Sequence, residues 1–293
     1  MKDDSLGILV IIGLILIALA SNQSRNNSSQ NGTVFYNTQN DPQKTVQENI
    51  LDKQNQVQIL QNKLETERVK NNESKYKGIV TLNYPVRSTD PKQEYISIKV
   101  NNTPNGILVT GWKLVSSTTG TSVSIPKASY LLFTTTQNTE ENIYLRGGDT
   151  LYLVTGISPN GSSFKINKCS GYLAQFQTFN PSLNNDCPAP RNENLSSIPR
   201  TSANDACLDY LDSFPSCRIQ TETLPLNWGY ECKNFIYEKL NYNSCINTHK
   251  NDADFYKNEW RVYLKRSDSI WKEKRETITL YDNDGRIVDS IKY

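Results

Sequence analysis

Residues 6–20, Leu-Gly-Ile-Leu-Val-Ile-Ile-Gly-Leu-Ile-Leu-Ile-Ala-Leu-Ala, carry no charged side chain. With Ser5 and Ser21 as ends the stretch is about 17 residues, roughly 25 Å as a helix, the short limit for crossing a bilayer. It predicts a transmembrane anchor over residues 1–21, or a secretory signal cut after Ala18-Leu19-Ala20, which has a small-x-small pattern. Asp3 and Asp4 beside Lys2 favour the anchor, and Lys2 with the amino terminus against Arg25 favours a cytoplasmic amino end. Either way, the chain that follows is exported. Residues 22–42 lose nearly all apolar side chains, Phe35 and Tyr36 excepted. Such a segment buries too little surface to order itself and reads as a flexible linker.

A helical period begins at Val46. Val46, Ile50, Val57, Leu60 and Leu64 fall on alternating d and a positions of a heptad, interrupted at Lys53, with no Pro or Gly from Gln43 to Lys77. This predicts a helical stalk over residues 43–77, ended by Gly78. The stalk is either a coiled coil that makes a homo-oligomer through residues 46–67 or a single polar spacer. After Gly78 the period becomes two. Ile96, Ile98 and Val100 alternate with polar neighbours, as do Trp112 and Leu114, Val123 and Ile125, Leu151 and Leu153, Trp260, Val262 and Leu264, and Ile278 and Leu280. Asn283-Asp284-Gly285 is a tight-turn signal joining the last of these to Arg286–Ile291. Short strands between polar turns, with no βαβ alternation, predict an antiparallel sandwich over residues 78–293 rather than a parallel nucleotide-binding sheet.

Several of these strands together resemble a family. Gly111-Trp112-Lys113-Leu114, Ile125-Pro126, Gly148-Asp149-Thr150-Leu151-Tyr152-Leu153 and the closing Ile278–Tyr293 segment look like the lamin-tail domain, covering about residues 80–157 and 260–293. The resemblance implies an immunoglobulin-like β-sandwich of the kind found in nuclear lamins and in exported bacterial proteins, the bacterial branch being the better fit behind a membrane segment. The departure is about 100 residues placed between the Gly148-Asp149 strand and the final strands. No partner is carried over from the family across that insertion, which is expected at about residues 165–258.

All six cysteines lie in the insertion: Cys169, Cys187, Cys207, Cys217, Cys232 and Cys245. An even number in an exported region reads as a disulfide framework with fifteen connectivities open. Closing the nearest partners gives Cys169–Cys187, Cys207–Cys217 and Cys232–Cys245, each worth around 3 kcal/mol in the chain-entropy view. Apolar residues at helical spacing in Ala203–Phe214 and Tyr230–Asn241 predict two or three short helices stapled onto the side of the sandwich.

The chemistry is sparse. Basic and acidic side chains number 32 and 30, a balance that argues against nucleic acid. One His and one Met exclude His-based metal cages and Met-rich grooves. Cys232, Cys245 and His249 have a zinc-like spacing, but the paired C-x2-C is missing and thiolate zinc belongs to reducing compartments, so no metal and no cofactor is expected. No Gly-x-Ser-x-Gly elbow, phosphate loop or GxGxxG occurs. Asp205, Asp209, Asp212, Asp252 and Asp254 are numerous enough for a carboxylate pair, although a solvated helix face is the plainer reading. Asp282-Asn283-Asp284-Gly285 holds part of a calcium loop without its closing Glu and reads as a hairpin turn. Tyrosines number 16, and Tyr172, Trp228, Tyr230, Tyr237 and Tyr242 in the insertion are candidate binding aromatics, or else the filling of its small core.

The chain therefore reads as a non-enzymatic binding or structural protein, held in the cell membrane by a single pass with its C-terminal domain extracytoplasmic and a lamin-tail-like domain displayed at the cell surface to an extracellular ligand. Cleavage of the first segment would make it secreted. The alternative is an extracellular, glycosidase-like hydrolase using acidic residues of the insertion.

Overall fold

The computed structural model describes residues 42–134 and 137–293. The anchor expected over 1–21 and the linker expected over 22–42, save Pro42, which begins a helix, lie outside the described residues. Among the described residues no helix is long and apolar enough to cross a membrane. The protein is mainly sheet, with three disulfides and several helices. It divides into two units, the first ending at Asn71 and the second starting at Asn72.

The first unit contains α1, Pro42–Lys70. Val46, Leu51, Ile59, Leu60 and Val69 are exposed along it. The stalk was expected to run to Gly78, but the helix stops at Lys70. Asn72 turns out of it at φ 55, a left-handed conformation that Asn tolerates. Ser74 then donates its backbone N–H to the Ile287 carbonyl at 2.8 Å, so residues 72–77 line the last strand of the second unit. Gly78, at φ 79, serves a later turn.

Among the described residues the second unit has eleven strands: β1 Val80–Leu82, β2 Tyr95–Val100, β3 Ile107–Leu108, β4 Lys113–Ser116, β5 Ser122–Ser124, β6 Tyr144–Leu145, β7 Thr150–Val154, β8 Phe164–Asn167, β9 Tyr256–Tyr263, β10 Thr277–Tyr281 and β11 Ile287–Lys292. They form a five-stranded sheet ordered β1-β2-β7-β9-β8, a four-stranded sheet ordered β11-β10-β4-β5 and the small pair β3-β6. One apolar cluster joins the two larger sheets. Ile96, Ile98, Val100, Leu151, Leu153, Trp260 and Val262 come from one, and Leu114, Val123, Ile278, Leu280 and Val288 from the other. All but Val288 are residues marked by the two-residue period, since alternate side chains of a strand share a face.

Two buried carboxylates close the body. Glu94, fully buried, accepts from Thr155 Oγ1 at 2.7 Å, Ile270 N at 2.7 Å and Trp271 N at 3.2 Å, which pins the loop after β9. Glu276, also fully buried, accepts from Ser116 Oγ at 2.9 Å and Thr277 N at 3.0 Å. Bonded in this way, the carboxylates avoid the desolvation cost of an unpaired buried charge.

An all-antiparallel arrangement was expected, but β9 enters between β7 and β8 and runs parallel to β7, with Leu151 opposite Trp260 and Leu153 opposite Val262. A parallel partner needs a crossover of a dozen residues or more, and the insertion supplies it. The insertion leaves after Asn167 and returns at Tyr256, inside the expected 165–258. It also explains why β8, in which Phe164 and Ile166 alternate with Lys165 and Asn167, shows no alternation in burial. All four of its residues are buried, because the insertion covers the outer face of the sheet there while the shared core lies on the inner face.

Candidate functional site

The insertion is built on three disulfides, and their pairing corrects the nearest-neighbour expectation. The bonds are Cys169–Cys245, Cys187–Cys217 and Cys207–Cys232, in place of Cys169–Cys187, Cys207–Cys217 and Cys232–Cys245. Helix packing rather than loop length decides the partners. Cys207 lies on α2 (Ser202–Ser213) and Cys232 on α3 (Tyr230–Lys239), two helices whose buried residues Leu211, Phe235 and Ile236 share one cluster. Their Cα atoms stand 6.2 Å apart. Cys169 follows β8 directly and Cys245 sits on α4 (Tyr242–His249), so their bond ties the root of the insertion, 5.9 Å between Cα atoms. Cys232 and Cys245 belong to different disulfides, which leaves no thiolate for zinc. Among the described residues no cluster of metal-ligating side chains occurs.

The five candidate aromatics do not form one face. Tyr172 and Tyr242 are core residues at 5% and 4% exposure. Tyr242 donates its hydroxyl to the Leu132 carbonyl at 3.0 Å, and burial pushes its pKa well up, as it pushes that of Tyr172 to about 12. Trp228 is half-buried, its ring 5.2 Å from that of Tyr210. Tyr230 and Tyr237 are exposed, and the Tyr237 hydroxyl accepts from Leu224 N at 3.2 Å.

The acidic residues are also dispersed. Asp205, Asp209 and Asp212 are exposed on α2. Asp252 and Asp254 both pair with Lys168. His249 lies between two carboxylates, Nε2 at 2.9 Å from Glu193 and Nδ1 at 2.8 Å from Asp252. Burial lowers its pKa, but those two hydrogen bonds outweigh burial and hold it above the ordinary value. Asp282 accepts from Asp284 N at 3.0 Å and Arg286 N at 2.9 Å, the work of a turn carboxylate.

A groove that no sequence pattern marked lies where the insertion meets the sheet. Its first lobe, about 490 Å³, runs between the strip 171–185 and Pro215–Arg218. Its second, about 360 Å³, lies between Lys92–Gln93, Ile157–Pro159 and the same strip, with the buried Tyr263 beneath. Thr178 lines both lobes. The strip is fixed from several sides. Gln175 bonds Ile219 twice, Nε2 to O at 3.0 Å and N to Oε1 at 2.6 Å. Asn180 Nδ2 donates to the Gln93 carbonyl at 2.7 Å. Arg261, fixed by Glu259 Oε1 at 2.8 Å and lying 4.4 Å over the Tyr152 ring, donates to the Ser182 carbonyl at 3.0 Å. Burial lowers the Arg261 pKa and raises that of Glu259. The Tyr263 hydroxyl sits beside Ser158 with no well-aligned hydrogen bond, and burial pushes its pKa up to about 12. Most groove residues are loop positions without periodicity, brought together by the Cys187–Cys217 bond and by the hydrogen bonds of Gln175, Asn180 and Arg261.

No model of a known protein family matches the chain, and no curated protein matches it.

Proposed function

We propose that the chain is a membrane-anchored, extracytoplasmic binding or structural protein, without enzymatic activity, that displays its two-sheet domain at the cell surface. The observation that carries this reading is the disulfide framework. All six cysteines are paired and none is free, an arrangement that persists in oxidising compartments. The apolar run at residues 6–20 supplies the means of export and a single-pass anchor, or a secreted form if it is cleaved. The domain itself reads as an immunoglobulin-like β-sandwich of the lamin-tail type. Support comes from the motifs that carry the resemblance, which lie on or next to β4, β5, β7, β10 and β11. The seam Val46, Ile50, Val57, Leu60 and Leu64 on α1 supports self-association of the stalk through residues 46–67.

The test is protease shaving of intact cells followed by intact-mass measurement before and after reduction. We expect the domain to be released from the cell surface, with no cysteine alkylated before reduction and all six after it. Crosslinking on the same cells is expected to capture a second copy. A domain protected inside intact cells, with free thiols, overturns the reading.

A further inference from the structure

We propose that the two-lobed groove is a binding site for an acidic oligosaccharide, a chain of uronic-acid units being the simplest such ligand. The proposal names a ligand class for the binding role above and rests on it.

Charge is the first argument. Neither lobe is lined by an aspartate or a glutamate, whereas Arg218 lines the first and Lys92 the second. Both cations are exposed, and neither has an ion-pair partner among the described residues. Two exposed cations, each lining a lobe that no carboxylate lines, favour an anion, and two lobes that share Thr178 as a wall favour one with repeated charges.

The lining gives the second argument. Gln177, Thr178, Ser182 and Asn185 present amides and hydroxyls that make no side-chain hydrogen bond within the described protein. These groups both donate and accept, as sugar hydroxyls require. An extended acidic peptide would instead be held by main-chain pairing along a sheet edge, and the only strand residue lining either lobe is Tyr263, the last of β9. Each lobe falls within the roughly 300–1,000 Å³ of small-molecule sites. The strip between them is held by Gln175, Asn180, Arg261 and the Cys187–Cys217 bond, so little ordering remains to be done on binding.

Titration calorimetry on the full chain in detergent tests the proposal with three probes: tetragalacturonate, its methyl ester and an acidic poly-glutamate peptide of equal charge. Tetragalacturonate is expected to bind, and the neutral ester to bind at least about tenfold more weakly, the loss of one charge-assisted contact. Arg218→Gln and Lys92→Gln should each weaken tetragalacturonate about tenfold by the same reasoning, while Lys272→Gln, outside the groove, leaves it unchanged. The two groove positions are at the surface, so folding survives either change. No binding, equal binding of the ester, tighter binding of the peptide, or indifference to both groove variants overturns the proposal. Protease shaving does not depend on the groove. A silent titration with surface-exposed protein therefore sinks the ligand class alone.

Discussion

The two-sheet body and the insertion solve the same problem by different means. The body contains no cysteine and depends on a single apolar cluster fed from both sheets, with Trp112, Ile98, Leu114 and Leu280 almost completely buried. The insertion, residues 168–255, has only short helices, one small cluster of its own and a second shared with Val154, Phe164, Ile166 and Tyr263 of the body, and every disulfide of the protein lies within it. A segment of that size with so little regular structure buries too small an apolar area to hold itself, and cross-links make up the difference. The chain thus combines one part whose integrity is set by burial with another whose integrity is set by redox state, joined along β8 and β9.

The largest expected effect separates the two. Replacing Cys169 and Cys245 together by Ser opens a loop of 76 residues and should cost about 4.5 kcal/mol in the chain-entropy view. The loss should fall on the insertion. Hydrogen exchange is expected to rise across α2–α4 and the strip 171–185, with β2, β4 and β10 still protected. Equal deprotection of both sheets would show that the body depends on the staple as well.

The converse variant is Trp112→Ala, at a site 1% exposed whose ring lies 5.3 Å from that of Tyr76. Truncation of a buried Trp costs about 4 kcal/mol. Here the amides of β4 and β10 should lose protection in denaturant while the disulfides remain intact by mass. If the insertion instead unfolds first, the division into a burial-held and a redox-held part is wrong.

The same contrast decides how much of the molecule was legible in its sequence. Strands with one face on the core and one in water print a two-residue period, and so β2, β4, β5, β7, β9 and β10 could be read directly, with β11 placed by the turn before it. β8 alternates as well, Phe164 and Ile166 apolar against Lys165 and Asn167 polar, but over four residues only, and its polar side chains are buried all the same. The parallel pairing of β9 with β7 depends on a crossover through residues 155–255, β8 and the insertion included, whose path no local pattern encodes. α2 and α3 were visible from apolar spacing, yet the pairing of Cys207 with Cys232 follows from how those helices pack. Among the candidate aromatics, Tyr172 and Tyr242 carry the same composition as Tyr230 and Tyr237, and only tertiary structure separates core from surface. The groove is assembled from Lys92, Thr178 and Arg218, polar positions far apart along the chain.

The smallest expected effect sharpens the comparison at the root of the insertion, where His249 links Glu193 to Asp252. Burial disfavours the charged imidazole, but the hydrogen bonds to Glu193 and Asp252 outweigh it, so the folded pKa lies above the ordinary 6.5. A raised folded pKa means the contribution is complete below the unfolded value and is lost as pH rises through the folded one. Asp252 and Asp254 behave in the opposite way. Lys168, chiefly, holds both below their ordinary 3.8, so their contribution is present above that value and is lost as pH falls through the depressed folded pKa. The insertion should therefore be most stable in mildly acidic solution and should loosen as the pH rises past neutrality, whereas the body, which contains no histidine, should not follow. Thermal unfolding of α4, followed by hydrogen exchange from about pH 5 to about pH 9, tests this. In the wild type the α4 amides should lose protection through the upper part of that range, and His249→Gln, which keeps a polar side chain but does not titrate, should remove the slope. Parallel profiles for the two proteins would mean that Glu193 and Asp252 are held in place by the disulfides alone.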